Sequence, residues 1–146
     1  MSQALSIFNS VGSSAFTNMV CQMAPYFSTI NPEITELRPT YAVVTVPFRK
    51  EITNHLASVH AIALCNAAEL AGGMMTDASV PTGAKWIPKG MVVEYLAKAK
   101  TNIRAIADGS TVDWATAGDK IVSVDIFDEA DVKVFTAKIT MGVKLI

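Results

Sequence analysis

The sequence has few of the residues that build metal centres and disulfide frameworks. It contains two cysteines, Cys21 and Cys65, and two histidines, His55 and His60. These four residues offer no spacing of the zinc-binding type. Both cysteines lie in apolar, helix-like segments, which favours reduced thiols in the core over a disulfide or a reactive thiol. We therefore expect neither a metal site nor a disulfide scaffold.

A strong charge of one sign and a long apolar run are also missing. Lys and Arg number 12 against 13 Asp and Glu, and no basic block is present, so nucleic-acid binding has no electrostatic support. The most apolar run, residues 59–75, is interrupted by His60, Asn66 and Glu69, whereas a membrane span needs about 18 uninterrupted apolar residues. The N-terminus lacks the basic and apolar regions of a secretory signal. We expect a cytoplasmic protein with no membrane span and no nucleic-acid partner.

Apolar surface, by contrast, is abundant. Of the 146 residues, 51% are hydrophobic, and the mean hydropathy is +0.35. The length suits one domain with a sizeable core, but the apolar share is high for a soluble monomer. Burial between subunits accounts for this excess, so we expect a homodimer or a tetramer made of two dimers.

The first half of the chain shows two helical patterns and one strand pattern. Apolar residues recur at helical spacing over residues 3–23, and Pro25 ends this helix, which packs on the domain or lies over a ligand entrance. Residues 36–48 alternate as a strand, with Pro39 at an edge or bulge. After a polar loop, residues 59–76 form a helix that is apolar almost all round and hence buried on most sides. Ser58 is its candidate N-cap.

The second half has a period of two residues, which is typical of strands. The predicted strands cover residues 85–98, 101–107, 120–127 and 132–145, with a bulge at Pro88–Gly90. Their short connections indicate an antiparallel meander. About five strands curled around one buried helix make an α+β fold. We predict a single domain over residues 1–146, with an N-terminal helix at 1–24 and a core at 36–146.

Polar residues in and before the buried helix are the candidates for chemistry. Glu69 is either a structural carboxylate or a general base or nucleophile. His60 is either a capping or core histidine or part of a site, and Asn54 is either a turn residue or a ligand of water or a substrate carbonyl. The backbone N–H of Ala61, near the helix N-terminus, is a candidate oxyanion donor.

Geometry limits how these groups act together. Ala61 and Glu69 are eight residues apart on one helix, which is about 12 Å at 1.5 Å per residue. Both cannot touch one carbonyl within a single subunit, because catalytic groups lie about 3 Å from the reacting atoms. Two antiparallel helices of a twofold dimer place Ala61 of one chain beside Glu69 of the other. Chemistry that uses both residues therefore requires the dimer.

These residues carry a resemblance to a known family. The segment resembles the signature of hotdog-fold acyl-CoA thioesterases, in particular the PaaI-like branch, which has Asn, a small residue, His-Gly-Gly, and an acidic residue nine positions after the His. The corresponding residues are Asn54, Ala57, His60, Ala61, Ile62 and Glu69. The spacing matches, but Ala61 and Ile62 replace the two glycines of the family, and Ala57 replaces another glycine. A backbone N–H survives the change to alanine, whereas Ile62 adds bulk near the acyl pocket.

The resemblance implies a fold, an activity and roles for these residues. Glu69 matches the helix carboxylate that attacks the thioester or activates water, Ala61 matches the oxyanion donor, and Asn54 and His60 match supporting active-site positions. Asn66, Ile62 and Gly73 are the implied substrate-binding positions. No cofactor is implied beyond the coenzyme A of the substrate. Lysines after the helix, such as Lys98, either meet its phosphates or are ordinary solvated side chains.

Three functions remain open at this point. The first is hydrolysis of an acyl-CoA or related acyl thioester. The second is dehydration or hydration of a hydroxyacyl thioester on the same fold. The third is a non-catalytic dimer that binds acyl-CoA.

Overall fold

The computed structural model describes residues 2–146 of the chain. Its α-helices are α1 (Gln3–Val11), α2 (Ser13–Met23) and α3 (Ala61–Ser79), and short 3₁₀ helices cover Pro25–Ile30 and Lys50–Ile52. Within this described part, no helix is long and apolar enough to cross a membrane.

Six strands form one antiparallel sheet. They are β1 (Glu33–Arg38), β2 (Tyr41–Val46), β3 (Lys85–Tyr95), β4 (Ile103–Asp108), β5 (Gly118–Phe127) and β6 (Lys133–Lys144), in the order β1-β2-β4-β5-β6-β3. The curved sheet wraps around α3, which contacts all six strands. The predicted α+β hotdog architecture, with a long central helix against a curved sheet, is confirmed.

The core lies between α3 and the concave face of the sheet. Small residues on α3 let the helix approach closely, and Gly72 shows how tight the contact is: a Cβ there would lie 3.0 Å from Cδ1 of Ile139. Alternate residues of β5 and β6 point inwards and are fully buried, among them Val122, Val124 and Ile139. Such close packing is the source of most of the stabilisation in a domain of this size.

The N-terminal segment differs from the single predicted helix. Gly12 has φ +85°, a left-handed conformation that ends α1 and starts α2 at an angle. The hydroxyls of Ser13 and Thr17 then bind the backbone of Ile34, at 2.6 Å to its O and 2.9 Å to its N. As a result α2 covers the outer edge of β1.

The predicted strand over residues 36–48 is two strands joined by a tight hairpin. Pro39 and Thr40 form the turn, and Thr40 has φ +71°. Its N–H binds Oγ of Ser79 at 2.8 Å, and its carbonyl accepts from the N–H of Gly109 at 2.9 Å. These two distant contacts hold a conformation that is unfavourable for threonine, which is why the strand pattern alone did not reveal the turn.

The predicted meander is wrong for one strand. The β4-β5-β6 run is a meander, but β3 pairs with β6 over the length Lys85–Tyr95 and not with its successor β4. The predicted bulge between Pro88 and Gly90 is confirmed by a register shift there. β3 thus forms one outer edge of the sheet, beside the exposed side of α3.

Candidate functional site

The N-terminus of α3 is capped by His60, so the prediction of Ser58 as N-cap is wrong. Nδ1 of His60 accepts the N–H of Ile62 at 3.0 Å, and the backbone N–H of His60 donates to the carbonyl of Ile52 at 2.7 Å. Ser58 is buried and belongs to the preceding loop. The capping interpretation of His60 is therefore correct, and this histidine positions the first turn of the helix.

Ala61 retains a free backbone donor at this helix end. Its N–H has no hydrogen-bond partner within residues 2–146, whereas that of Ile62 is taken by His60. Ala61 lines a cavity of about 320 Å³ together with Asn54, Tyr95 and Lys98. The positive end of the helix dipole and an unpaired N–H suit a developing negative charge in this cavity.

Asn54 holds the loop in front of the helix. Its Oδ1 accepts from the N–H groups of Leu56 at 2.9 Å and Ser58 at 3.2 Å, and from Oγ of Ser58 at 3.1 Å. Its Nδ2 has no hydrogen-bond partner in the described chain, and Asn54 lines the same cavity as Ala61. The side-chain oxygen of Asn54 therefore has the structural role that was predicted for a turn residue. The side-chain N–H groups of Asn54 remain available to a ligand.

Glu69 lies on the side of α3 that the sheet leaves uncovered. It is half-buried and makes no hydrogen bond or ion pair with the residues that the structure describes. Cys65 precedes it by one helical turn and Gly73 follows it by one turn, so the three share a stripe. Glu69 lines neither the cavity at Ala61 nor the one at His60.

His60, Ile62 and Asn66 line a second cavity, of about 200 Å³. Asn66 is buried, and its Nδ2 donates to Oγ1 of Thr29 at 3.2 Å. Its Oδ1 is buried without a partner among the described residues, an arrangement that is costly unless a ligand or water donates to it. Ile62 is exposed beside it.

Two aromatic residues that the sequence patterns did not single out frame the Glu69 stripe. Oη of Tyr95 lies 3.7 Å from Sγ of Cys65, and the ring of Trp86 packs against Gly73, where a Cβ would lie 3.0 Å from Cη2. Nε1 of Trp86 also donates to Oδ1 of Asp77 at 2.9 Å. In the sequence, the only feature that pointed to these two residues was the presence of an aromatic residue near each end of the strand that follows the helix.

The remaining ionisable groups form no metal site in the described chain. Among residues 2–146, no three His, Cys, Asp or Glu side chains are grouped to hold a metal ion. Cys21 and Cys65 are both free thiols, but both are half-buried and lie outside the core in which they were predicted. Burial raises the pKa of the Cys21 thiol, which favours its unreactive protonated form.

The candidate residues are thus divided between the two ends of one helical face. Asn54, His60, Ala61 and Ile62 cluster at the N-terminus of α3, and Asn66 adjoins them. Glu69 and Gly73 lie further along the helix. Glu69 is about 12 Å from Ala61 along the helix axis. Within one chain the oxyanion donor and the carboxylate are not brought together.

The fold defined by these elements is the hotdog fold of a large set of thioesterases. A thioesterase from Haemophilus influenzae has a TM-score of 0.78 at 15% identity, over 89% of this chain and 89% of that chain. A Streptococcus mutans protein, solved bound to acetyl-CoA, has a TM-score of 0.66 at 15% identity, over 76% of this chain and 86% of that chain. At such identities the likeness shows the fold.

The chain belongs to the family described as a domain of unknown function, DUF4442, whose model matches residues 12–143. A crystal structure described only as a genomics target is 54% identical, with a TM-score of 0.89 over 97% of this chain and 96% of that chain. No curated protein matches the chain.

Proposed function

We propose that this chain is a thioesterase that hydrolyses an acyl-CoA or related acyl thioester as a homodimer. The observation that carries the proposal is the pair of unpartnered groups on α3, namely the N–H of Ala61 at the helix N-terminus and the carboxylate of Glu69 two turns on. Fold neighbours that are thioesterases, and one neighbour bound to acetyl-CoA, support the substrate class.

The chemistry needs one donor and one carboxylate. The N–H of Ala61 donates to the thioester oxygen and stabilises the oxyanion of the tetrahedral intermediate. Glu69 removes a proton from the attacking water, or attacks the carbonyl carbon itself and is freed by water afterwards. The C–S bond then breaks, its electron pair goes to sulfur, and protonation of the thiolate yields a free thiol and a carboxylic acid.

The partner chain is proposed to pair along β3. The other sheet edge, β1, is covered by α2, whereas the outer edge of β3 has no strand partner in the described chain. Ile87 and Val92 on β3 are 64% and 72% exposed. Lys85, Lys89 and Glu94 also lie on this strand, but its length and these exposed apolar side chains favour strand addition. A twofold axis at this edge brings two α3 helices side by side, with Ala61 of one chain near Glu69 of the other.

The free oxygen of Asn66 and the side chain of Lys98 suggest contacts for the rest of the substrate. Oδ1 of Asn66 can accept an amide N–H of the pantetheine arm. Lys98, at the cavity that contains Ala61, is suited to a phosphate of coenzyme A. Lys89 is instead paired with Asp119 at 3.0 Å, so it is an ordinary surface lysine.

The test is thiol release from short, medium, long and aromatic acyl-CoA substrates. Replacing Glu69 by Gln keeps the shape and removes the base, so we expect kcat to fall by about 10²-fold or more. Glu129→Gln, in the exposed turn before β6, is the matched control and retains wild-type kcat. Unchanged release by Glu69→Gln would exclude the proposed role. Formation of an enoyl product from a hydroxyacyl-CoA, without free thiol, would identify a dehydratase.

A further inference from the structure

A cavity larger than the two at the N-terminus of α3 has no role in the chemistry described above. It measures about 690 Å³, compared with about 320 Å³ at Ala61. It lies between the N-terminal helices, the C-terminal half of α3 and the start of β3. We call it the N-terminal cavity. Its volume falls within the range of about 300–1,000 Å³ that is usual for small-molecule sites.

The wall of the N-terminal cavity is mostly apolar, with Ser2, Gln3, Asp77 and Thr82 as its polar members. The larger lining side chains are Ile7, Phe16, Val20, Phe27, Met74 and Trp86. Asp77 is the one ionisable residue among those lining it, and Oδ1 of Asp77 is occupied by the Trp86 indole at 2.9 Å. Because the described residues that line it include no cation, the cavity does not suit phosphates or a carboxylate, whereas an uncharged hydrocarbon fits it.

The N-terminal cavity begins next to the Glu69 stripe. Trp86 belongs both to its wall and to the contact with Gly73. Gly73 lies one turn beyond Glu69, about 6 Å along the helix axis. Because glycine leaves room for the indole, the Trp86 ring forms the boundary between Glu69 and the cavity. An acyl group whose thioester carbonyl lies at Glu69 is thus about one helical turn from the cavity, and rotation of the Trp86 indole away from Gly73 opens the path to it.

Methionines give the wall a deformable surface. Met19, Met23 and Met74 all line the cavity, and unbranched thioether side chains adapt to ligands of different length and shape. Aliphatic acyl chains differ in length but are all apolar, so a deformable apolar wall suits them.

We propose that the N-terminal cavity binds the aliphatic chain of the acyl group and makes the enzyme prefer medium and long chains to acetyl. This inference rests on the proposed thioesterase function, since that function supplies the thioester. The N-terminal helices then act as the cover of the acyl site.

The first test fills the cavity from two different helices. Val20→Trp on α2 and Ala4→Trp on α1 each place an indole in it, and Val11→Trp, at an exposed position of α1 outside the cavity, is the matched control. Thermal unfolding identifies the variants that fold, and kcat/KM is measured with acetyl-CoA and dodecanoyl-CoA. Excluding even one methylene from an apolar pocket costs about tenfold or more, so the dodecanoyl-to-acetyl ratio should fall at least about tenfold in the filled variants.

The control should keep the wild-type ratio. A wild-type protein that prefers acetyl-CoA, or folded filled variants with the wild-type ratio, would overturn the inference. Either result would leave the chemistry at Glu69 untouched, because hydrolysis itself would still be observed.

A binding measurement separates this inference from the proposed function. If no thioester is hydrolysed, equilibrium binding of dodecanoyl-CoA tests whether the cavity holds the acyl chain. Binding that is at least about tenfold weaker in Val20→Trp or Ala4→Trp, but not in Val11→Trp, supports the inference. No binding, or equal binding by all variants, overturns it. Dodecanoate that binds as tightly as dodecanoyl-CoA, without turnover of the thioester, would identify a free fatty acid as the occupant and overturn the thioester assignment.

Discussion

At the scale of single residues, the site depends on which backbone and side-chain groups the chain leaves unpaired. His60 uses its Nδ1 on Ile62 and so leaves the N–H of Ala61 as the open donor. Asn54 and Ser58 bind each other in the loop before it. Glu69 has no partner in the described chain although it adjoins the buried face of α3. The sequence motif predicted these residue types, but not which of their atoms are free.

The Tyr95 hydroxyl provides a test of the contacts around Glu69. The hydrogen bond with Cys65, followed by desolvation and the charge of Cys65, raises the pKa of Tyr95 above its usual value. Because the native state binds this proton more tightly, the stabilisation is present below the usual tyrosine pKa of about 10 and is lost as the pH rises through the raised one.

Replacing Cys65 by Ala removes the main cause of this shift. We expect the Tyr95 phenolate to form at lower pH, and alkaline titration of tyrosinate absorbance, with Tyr95→Phe as the reference that lacks its signal, measures the change. A Tyr95 titration that is the same with and without Cys65 would show that the 3.7 Å contact does not form in solution.

At the scale of elements, α3 is the best-predicted part and the strand pairing is the worst. An apolar pattern around the whole helix predicted residues 59–76, and the structure has Ala61–Ser79. The partner of β3 is decided by contacts made far along the chain, such as Trp86 with Val143 and Tyr95 with Phe135. Such long-range pairs produce no pattern in the local sequence, whereas each strand does produce a pattern with a period of two residues.

The N-cap of α3 has an energetic value that can be measured. His60→Ala removes the acceptor for the Ile62 N–H, and loss of an N-cap side chain costs about 0.5–2 kcal/mol. We expect the free energy of unfolding, from urea denaturation, to fall by this amount. His55→Ala, in the exposed loop nearby, is the control and should leave stability almost unchanged; equal losses for the two variants would contradict the capping role.

At the scale of the whole molecule, the two edges of the sheet are treated differently. α2 binds the edge of β1 through Ser13 and Thr17, whereas β3 presents an uncovered edge with Val92 72% exposed. The high apolar content predicted buried surface between subunits but not where it lies. The location needed the order of the strands.

A charge on this edge should separate the proposed dimer. Val92→Lys places two like charges close to each other across a twofold axis, and lysine on an edge strand opposes strand addition. We expect light scattering after gel filtration to give a dimer for wild type and a monomer for the variant, with loss of thioester hydrolysis. Val132→Lys, in the turn before β6, should remain a dimer; a dimeric Val92→Lys protein would place the interface elsewhere.

We propose that each active site combines Ala61 of one chain with Glu69 of its partner. Ala61→Pro removes the N–H at a helix position that accepts proline, and His60 before it has the extended ψ of 138° that proline favours. Glu69→Gln removes the carboxylate. The two variants, carrying different affinity tags, are co-expressed and the mixed dimer is purified through both tags.

Each parent homodimer should be inactive, whereas the mixed dimer has one intact site and one that lacks both groups. We predict about half of the wild-type thiol release per dimer. A mixed dimer that is folded but as inactive as its parents would contradict the shared site.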